Sequence, residues 1–545
     1  MAMDLDSPAW VMPNWSWTNH TAMAMNHNHP ANLGHLFESV SSRYSANTAI
    51  SQSEQDHISY NDLNTLVNIF SYHLIEIGIK KSDVIAIINT KETSDFAIML
   101  ACLKIGAIYC NIDPAIPFER LKKILTTAHP RILCCKTEEK HKYIFFTQTL
   151  GCAILHLDEI KNDVLSENKI SRLSDRTHSV TSNDIAYLMF TSGSTGFPKG
   201  AIMSHGNLIE FLKWSIEENG ISETDVLTNI NPMYFDNSVF DFYTALFSGA
   251  SLIPVKKALL SQPTKLVKYV SQMKCTVWFS VPSLLIYLNQ MRAISVDKLT
   301  DLRIIMFGGE GYPKQELLKL YKIYKQQARF INVYGPTECT CICSSYEISE
   351  NDFTDLSTLP PLGKLLSVFS AAVINENGDP VEPGINGELL LAGDQVGSGY
   401  YRDKARTKES FGIRNISDIN YHSYRTGDIV HYDKSGLLHF CGRKDNQVKH
   451  MGYRIELEEI ELALTELKSI QQAIVIYKRP DSRHGLIIAF IMSETDMDEN
   501  KTRNKLSETL PAYMIPNRFI FMDELPKNAN GKIDRKQLET WEENN

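Results

Sequence analysis

Short apolar runs alternate with amphipathic stretches from about residue 35 to about residue 440. Residues 84–88 (V-I-A-I-I), 187–190 (Y-L-M-F) and 252–255 (L-I-P-V) are brief and apolar throughout, and they predict buried strands. Residues 121–127 and 314–327 place apolar side chains every three or four positions, the pattern of helices packed by one face. Strand and helix signals in alternation predict α/β layers, and nothing repeats at a fixed period. Near Gly442-Arg443-Lys444-Asp445 the pattern changes to a compact tail. There, residues 456–467 read as an amphipathic helix and residues 474–477 and 486–491 as strands. The expected architecture is an α/β protein: an N-terminal extension over 1–33, a large multi-layer N-terminal domain over 34–444, and a small mobile α+β C-terminal domain over 445–545.

Length agrees, because 545 residues exceed what one hydrophobic core organises. With 43% hydrophobic and 22% charged residues the composition is that of a soluble globular protein. A net charge of -9 argues against nucleic acid as a general partner, since phosphate backbones need a basic footprint. The ten cysteines are irregularly spaced, without a C-x-x-C pair, and read as buried reduced thiols. On a strand, Cys339, Cys341 and Cys343 would share one face. No run is long enough for a membrane span, and the acidic start (Asp4, Asp6) is not a secretory signal. The expected location is the cytoplasm, with no membrane partner. The extension, with Trp10, Trp15, Trp17, His20, His27 and His29, reads as low-complexity disorder or a small cap.

The chemistry concentrates after residues 187–190. Thr191, Ser192, Ser194 and Thr195 are interleaved with Gly193 and Gly196, and Lys199 follows. Glycines let backbone N–H groups converge on a ligand, hydroxyls add donors and the lysine adds charge, which suits a polyphosphate. The spacing is not that of the NTPase P-loop. Together with Tyr334-Gly335-Pro336-Thr337-Glu338, this loop resembles the AMP-forming adenylating enzymes, a superfamily of acyl-CoA synthetases, luciferases and amino-acid adenylation domains of nonribosomal peptide synthesis. Further landmarks follow in family order: Asp113-Pro114, Arg120-Leu121, Gly387-Glu388, Thr426-Gly427-Asp428, Gly442-Arg443 and Asn530-Gly531-Lys532. The similarity is nearest to stand-alone amino-acid adenylation enzymes such as D-alanine:carrier-protein ligases, notably at residues 457–461 and 513–516.

The resemblance implies a two-step ligase using ATP and Mg²⁺. Residues 191–200 would hold the β- and γ-phosphates and the departing pyrophosphate. Glu338 would ligate Mg²⁺, Thr337 would bind the α-phosphate, Tyr334 beside Gly335 would stack on adenine, and Asn332 would bind its edge. Asp428 would accept the ribose hydroxyls, with Arg443 facing the same side. Asp445 falls at the hinge about which the small domain turns. Lys532 would bridge the substrate carboxylate and the α-phosphate as the main catalytic residue of the first half-reaction.

At Asp236 the amino-acid branch carries a carboxylate for the substrate's α-ammonium, because an unpaired buried ammonium costs several kcal/mol. A second reading has Asp236 capping the helix that opens near Ser238. The remaining pocket, by resemblance, is Asn237, Phe240, Phe279, Met306, Gly308, Val333, Cys341 and Ile342. It has no second charge; Phe240 and Phe279 fill space and Gly308 opens it. D-Alanine ligases carry cysteine where Gly308 stands, so the expected substrate is a neutral, small-to-medium apolar amino acid, with proline, valine and alanine as candidates. The chain ends soon after Lys532 without a G-G-x-S carrier segment, so the expected partner is a separate carrier protein whose phosphopantetheine thiol accepts the acyl group. Lys444, Lys449 and His450 are candidates for a basic docking patch. The alternative is an acyl-CoA synthetase acting on an acid without an amine, and Asp236 speaks against it.

Overall fold

The computed structural model describes residues 32–160, 165–416, 419–479, 485–493, 498–527 and 533–544. Lys532 lies outside these residues, as does the tryptophan- and histidine-bearing tract before residue 32.

Two mainly parallel sheets face each other across a shared layer of helices. One has six strands, ordered Ala153–His156, Ile132–Cys135, Val84–Ile88, Ile108–Ile112, Ile185–Thr191 and Lys199–Ser204. The other has nine and is parallel from Arg329–Tyr334 through Ile304–Gly308, Val277–Ser280, Val226–Asn229 and Ser251–Pro254 to Thr48–Ser51. Parallel sheets are covered on both faces, which is why V-I-A-I-I at Val84–Ile88 is apolar throughout and buried at every position. The helices between the sheets are buried all round. Thr93–Ile105 hides 11 of its 13 residues, and Asn237–Ser248 buries every residue from Ser238 to Phe247. Phe96 on the first stacks on Phe242 of the second at 5.9 Å, and the hydroxyls of Tyr109 and Tyr243 meet at 2.8 Å. Lys91 adds a polar stitch, donating to the carbonyls of Asn229 (2.6 Å), Ile230 and Val255 (both 3.1 Å).

A five-stranded antiparallel sheet follows, in which Ile419–Tyr432 pairs with Leu438–Arg443 so that Asp428 stands opposite Arg443. The small domain then consists of a hairpin (Gln447–His450 and Tyr453–Glu456), the helix Leu457–Thr465, and a three-stranded sheet of Ile470–Lys478, Leu486–Ser493 and Arg518–Phe521. Its last described helix begins at Arg535. No described helix is long and apolar enough to cross a membrane.

The expected strands and helices are present with shifted ends. Residues 121–127 belong to Phe118–Ala128, and residues 314–327 to the shorter Lys314–Tyr324. Strand 474–477 lengthens to Ile470–Lys478, because antiparallel pairing carries Gln472 into the ladder although its side chain is polar, with a bulge at Gln471. The three alternating cysteines do not share a strand face. Thr337–Cys339 is a 3₁₀ turn, and Thr340 and Cys341 take left-handed φ of 56° and 74°, so the chain folds back and buries all three thiols.

Candidate active site

The two mainly parallel sheets, the antiparallel sheet and the small-domain hairpin converge on one cavity. Ile185–Thr191, Ile304–Gly308 and Arg329–Tyr334 all point their carboxyl ends toward it, where open α/β sheets bind ligands. Thr191, Ser192, Asp236, Asn237, Gly335, Thr337, Asp428 and Arg443 line it, joined from the small domain by Gln447, Lys449, Gly452 and Arg454.

The loop after Ile185–Thr191 keeps Thr191, Ser192, Gly193 and Gly196 buried and leaves Ser194 and Thr195 exposed. Thr191 Oγ1 is buried without a hydrogen-bond partner among the described residues, which suits a ligand oxygen in the cavity. Ser192 Oγ donates to the carbonyl of Arg454 at 2.8 Å. Thr195 Oγ1 accepts from Arg406, a cation that the sequence reading did not single out. Lys199 Nζ is 3.4 Å from Glu456 and 5.6 Å from the centre of the Tyr400 ring. Burial and the neighbouring Arg454 pull its pKa down, against Glu456 and Glu338.

Glu338 is fully buried and accepts from Tyr400 Oη and Arg454 Nη1, both at 2.7 Å. Burial alone would raise its pKa, but Arg454 and Lys199 outweigh it and hold the carboxyl at about 2. A permanently anionic oxygen donor already facing a cation fits Mg²⁺ chemically. No group of three acidic, histidine or cysteine side chains among the described residues forms a metal cage.

Thr337 Oγ1 donates to Asp236 Oδ2 at 2.5 Å. Asp236 precedes Asn237–Ser248 but makes no side-chain capping bond, so the capping reading is overturned: the carboxylate turns to the cavity and Thr337 instead. Burial raises its pKa, opposed by the Thr337 hydroxyl and by Lys449. On the other wall, Asp428 accepts from Tyr334 Oη and from Arg443 Nη1 at 2.8 Å. Arg443 also holds Asp445 through two bonds of 2.8 and 2.6 Å. Asn332 is buried off the cavity, its amide donating to the Pro361 carbonyl at 2.7 Å.

Of the eight expected pocket residues besides Asp236, Asn237 lines the cavity, while Phe240, Phe279, Met306, Gly308 and Val333 pack together behind Asp236. Strand register places Phe279 beside Met306 and Gly308 beside Val333. Phe240 meets Phe279 edge-on at 5.4 Å and Trp214 at 6.4 Å. Phe240, Phe279, Met306, Val333, Cys341 and Ile342 are all buried and do not line the cavity, so the space behind Asp236 is closed. Gly308 does not act by opening space. A Cβ there would lie 2.5 Å from the Val333 carbonyl oxygen, so the glycine lets the two strands approach.

The hairpin is where sequence reasoning fell short. Lys449 and His450 do not form a docking patch, because Lys449 is half-buried and faces the cavity and His450 is buried. Lys449 Nζ sits 5.5 Å from the Tyr334 ring centre, and burial lowers its pKa against the pull of Asp428 and Asp236. Only Lys444 of that trio is exposed, 3.5 Å from Glu388. The hairpin turns at Met451 and Gly452 (φ 51° and 80°), the geometry of a two-residue primed turn. Arg120 and Glu459 pair across the domains, and Tyr453 stacks on Tyr513 at 3.9 Å with Phe235 5.1 Å from Tyr453. Alternation in Gln447-Val448-Lys449 and Arg454-Ile455-Glu456 is the signal that would have found the strands.

A family model described as AMP-binding enzyme matches residues 37–401, and one described as AMP-binding enzyme C-terminal domain matches residues 459–532. Bacitracin synthase 1 of Bacillus licheniformis is 33% identical over 508 residues, 93% of this chain and 9% of that protein. The D-alanine–D-alanyl carrier protein ligase of Bacillus licheniformis is 34% identical over 445 residues, covering 81% of this chain and 85% of that one. The L-proline–L-prolyl-carrier protein ligase of Pseudomonas fluorescens is 30% identical over 506 residues, covering 91% and 96%. Among solved structures, the Vibrio cholerae adenylation domain AlmE in complex with glycyl-adenosine-5'-phosphate shares the fold at a TM-score of 0.78. It is 21% identical, and the match covers 97% of this chain and 100% of that one.

Proposed function

The chain belongs to the AMP-binding enzymes and is an AMP-forming ligase, and on that premise we propose that it activates an amino acid and loads it onto a carrier protein. In the first half-reaction a carboxylate oxygen of the amino acid attacks the α-phosphorus of ATP and pyrophosphate leaves. In the second, the phosphopantetheine sulfur attacks the acyl carbon, the carbon–oxygen bond to AMP breaks, and AMP leaves with that electron pair while the thiol proton is lost. The relatives named as carrier-protein ligases, matched over most of their own length, support a carrier protein as the acceptor.

The observation that carries the amino-acid reading is Asp236: a carboxylate opening on the cavity, held by Thr337, with apolar packing behind it. An α-ammonium paired there would leave the substrate carboxylate toward Thr337 and the nucleotide. The close packing of Phe240, Phe279 and Met306 behind Asp236 favours the small end of the apolar range, alanine before valine or proline. The 191–200 loop and Lys199 would hold polyphosphate, Asp428 and Arg443 the ribose, and Tyr334 the adenine. Glu338 would hold Mg²⁺, which when bound neutralises charge on the polyphosphate. Lys532 would compensate the charge that develops between carboxylate and α-phosphate. Asp445, tied to Arg443 and followed directly by the hairpin, would be the pivot of the small domain.

ATP–pyrophosphate exchange across L- and D-amino acids, with hexanoate and benzoate alongside, tests the reading against Asp236→Ala. Exchange with one small apolar amino acid, lost in the variant, is the expected result. Exchange only with acids lacking an amine would assign the chain to the acyl-CoA synthetases instead.

A further inference from the structure

The strand Tyr453–Glu456 presents two opposite charges, Arg454 and Glu456, two residues apart and therefore on one face. Each meets its opposite on the large domain. Arg454 Nη1 is 2.7 Å from Glu338 Oε2, and Glu456 Oε1 is 3.4 Å from Lys199 Nζ. All four side chains are largely withdrawn from solvent, at 14%, 0%, 4% and 14% exposed for Arg454, Glu338, Glu456 and Lys199. The strand is fixed at this spot by Ser192, whose hydroxyl binds the Arg454 carbonyl, and by Gln447, which donates to Glu456 at 2.7 Å. Glu338 and Lys199 are the residues read above as the metal ligand and the polyphosphate cation.

We infer that Arg454 and Glu456 are a charge-matched replacement for the metal and the pyrophosphate, so that the arrangement seen here and bound Mg²⁺–pyrophosphate exclude each other. While pyrophosphate is bound, Glu338 faces a metal cation and Lys199 faces phosphate. Once pyrophosphate leaves, Glu338 and Lys199 would keep only each other's field and the Tyr400 hydroxyl, incomplete compensation that is unfavourable in a low-dielectric site. Arg454 and Glu456 restore both pairs in one movement of one strand. The reverse of the first half-reaction needs a pyrophosphate oxygen to attack the α-phosphorus of the aminoacyl adenylate and expel the amino-acid carboxylate. With Lys199 and Glu338 both engaged, its binding place is taken, so the adenylate is committed to the thiol.

This inference rests on the assignment of the 191–200 loop and Glu338 to polyphosphate and metal, and the test separates the two. Mn²⁺–pyrophosphate binding to the full chain, without amino acid, is measured by calorimetry and by the electron paramagnetic resonance signal of free Mn²⁺. Wild type, Glu338→Gln, Arg454→Gln and Glu456→Gln are compared. Glu456→Gln is nearly isosteric and remains measurable if the arginine variant folds poorly. Loss of the competing pairs is expected to tighten Mn²⁺–pyrophosphate binding roughly tenfold in Arg454→Gln and Glu456→Gln, a gain that mere loss of structure would not produce. Glu338→Gln is expected to abolish it. Binding that Glu338→Gln abolishes while the two hairpin variants leave it unchanged or weaker overturns the inference alone. No binding to wild type overturns the polyphosphate assignment, and the inference with it.

Discussion

The hydroxyl of Thr337 donates to Asp236 at 2.5 Å, joining the loop that would face the α-phosphate to the carboxylate that would hold the substrate's amine. A single bond thus couples two binding tasks. Burial holds the Asp236 carboxyl above its ordinary range, and Thr337 and Lys449 only partly offset that. An ammonium needs the ionised form. The amino-acid specificity constant in exchange is therefore expected to fall with decreasing pH at a pH above the usual carboxylate range, while ATP affinity changes little. Asp236→Asn should remove this limb and lower the specificity constant by at least about a hundredfold, the scale of losing a buried charge-assisted bond. The same acid limb in the variant would assign the titration to another group.

Two lysines should divide the two half-reactions. Lys449 is the lysine that lines the cavity among the described residues, between Asp236 and Asp428. Lys532→Ala is expected to abolish aminoacyl-AMP formation and leave thioester transfer from supplied aminoacyl-AMP largely intact. Lys449→Ala should slow transfer more than adenylation. Rapid-quench measurement of each step separates them, and equal loss of both steps in either variant would sink the division.

Gly452 tests the importance of the hairpin's position. Its φ of 80° disfavours any side chain, and a Cβ would fall 2.3 Å from Val281 Cγ1. Gly452→Ala should therefore disfavour this domain arrangement, cutting thioester transfer roughly tenfold or more for about 1–2 kcal/mol of strain. Adenylation should be much less affected. A variant that transfers at the wild-type rate would show that transfer does not use this geometry.

Glu461 makes the small domain sensitive to pH. It accepts the Val475 N–H and faces Arg535, both at 2.7 Å, yet burial outweighs these and lifts its pKa to about 7. A raised carboxyl pKa means the folded state binds the proton more tightly than the unfolded state. Stability is then greatest below the ordinary carboxylate range and is lost as pH rises toward about 7. The loss is on the order of 3 kcal/mol. Hydrogen exchange in the helix Leu457–Thr465 should quicken from pH 5 to 7 beyond its intrinsic trend, and Glu461→Gln should flatten that excess. An undiminished slope in Glu461→Gln would place the titrating group elsewhere.

Much of this arrangement was legible in the sequence because its signals are local. V-I-A-I-I can be a buried strand on apolarity alone, and a loop of hydroxyls, glycines and a lysine stands out as a candidate site without a tertiary context. Asp236 was legible as a site residue, but its partner was not, since Thr337 is 101 positions away. The hairpin residues were harder still. Lys449 and Arg454 look like any solvated charges until the small domain is docked, and only then do Tyr334 and Glu338 become their neighbours. Gly308 was misread for a related reason. Sequence shows that a side chain is missing but not the direction in which it would have pointed, and here that direction is the Val333 carbonyl.

Phe240, Phe279 and Met306 pack behind Asp236, whereas the small domain meets the large one at Arg120, Ser192, Lys199, Phe235, Val281, Tyr334 and Glu338. Val281 follows Phe279 by two residues, so the packing behind the substrate side is continuous with the seat of the hairpin. Selectivity and timing are therefore linked traits in this chain. Carving space behind Asp236 for a larger amino acid also disturbs the ground on which the moving domain rests.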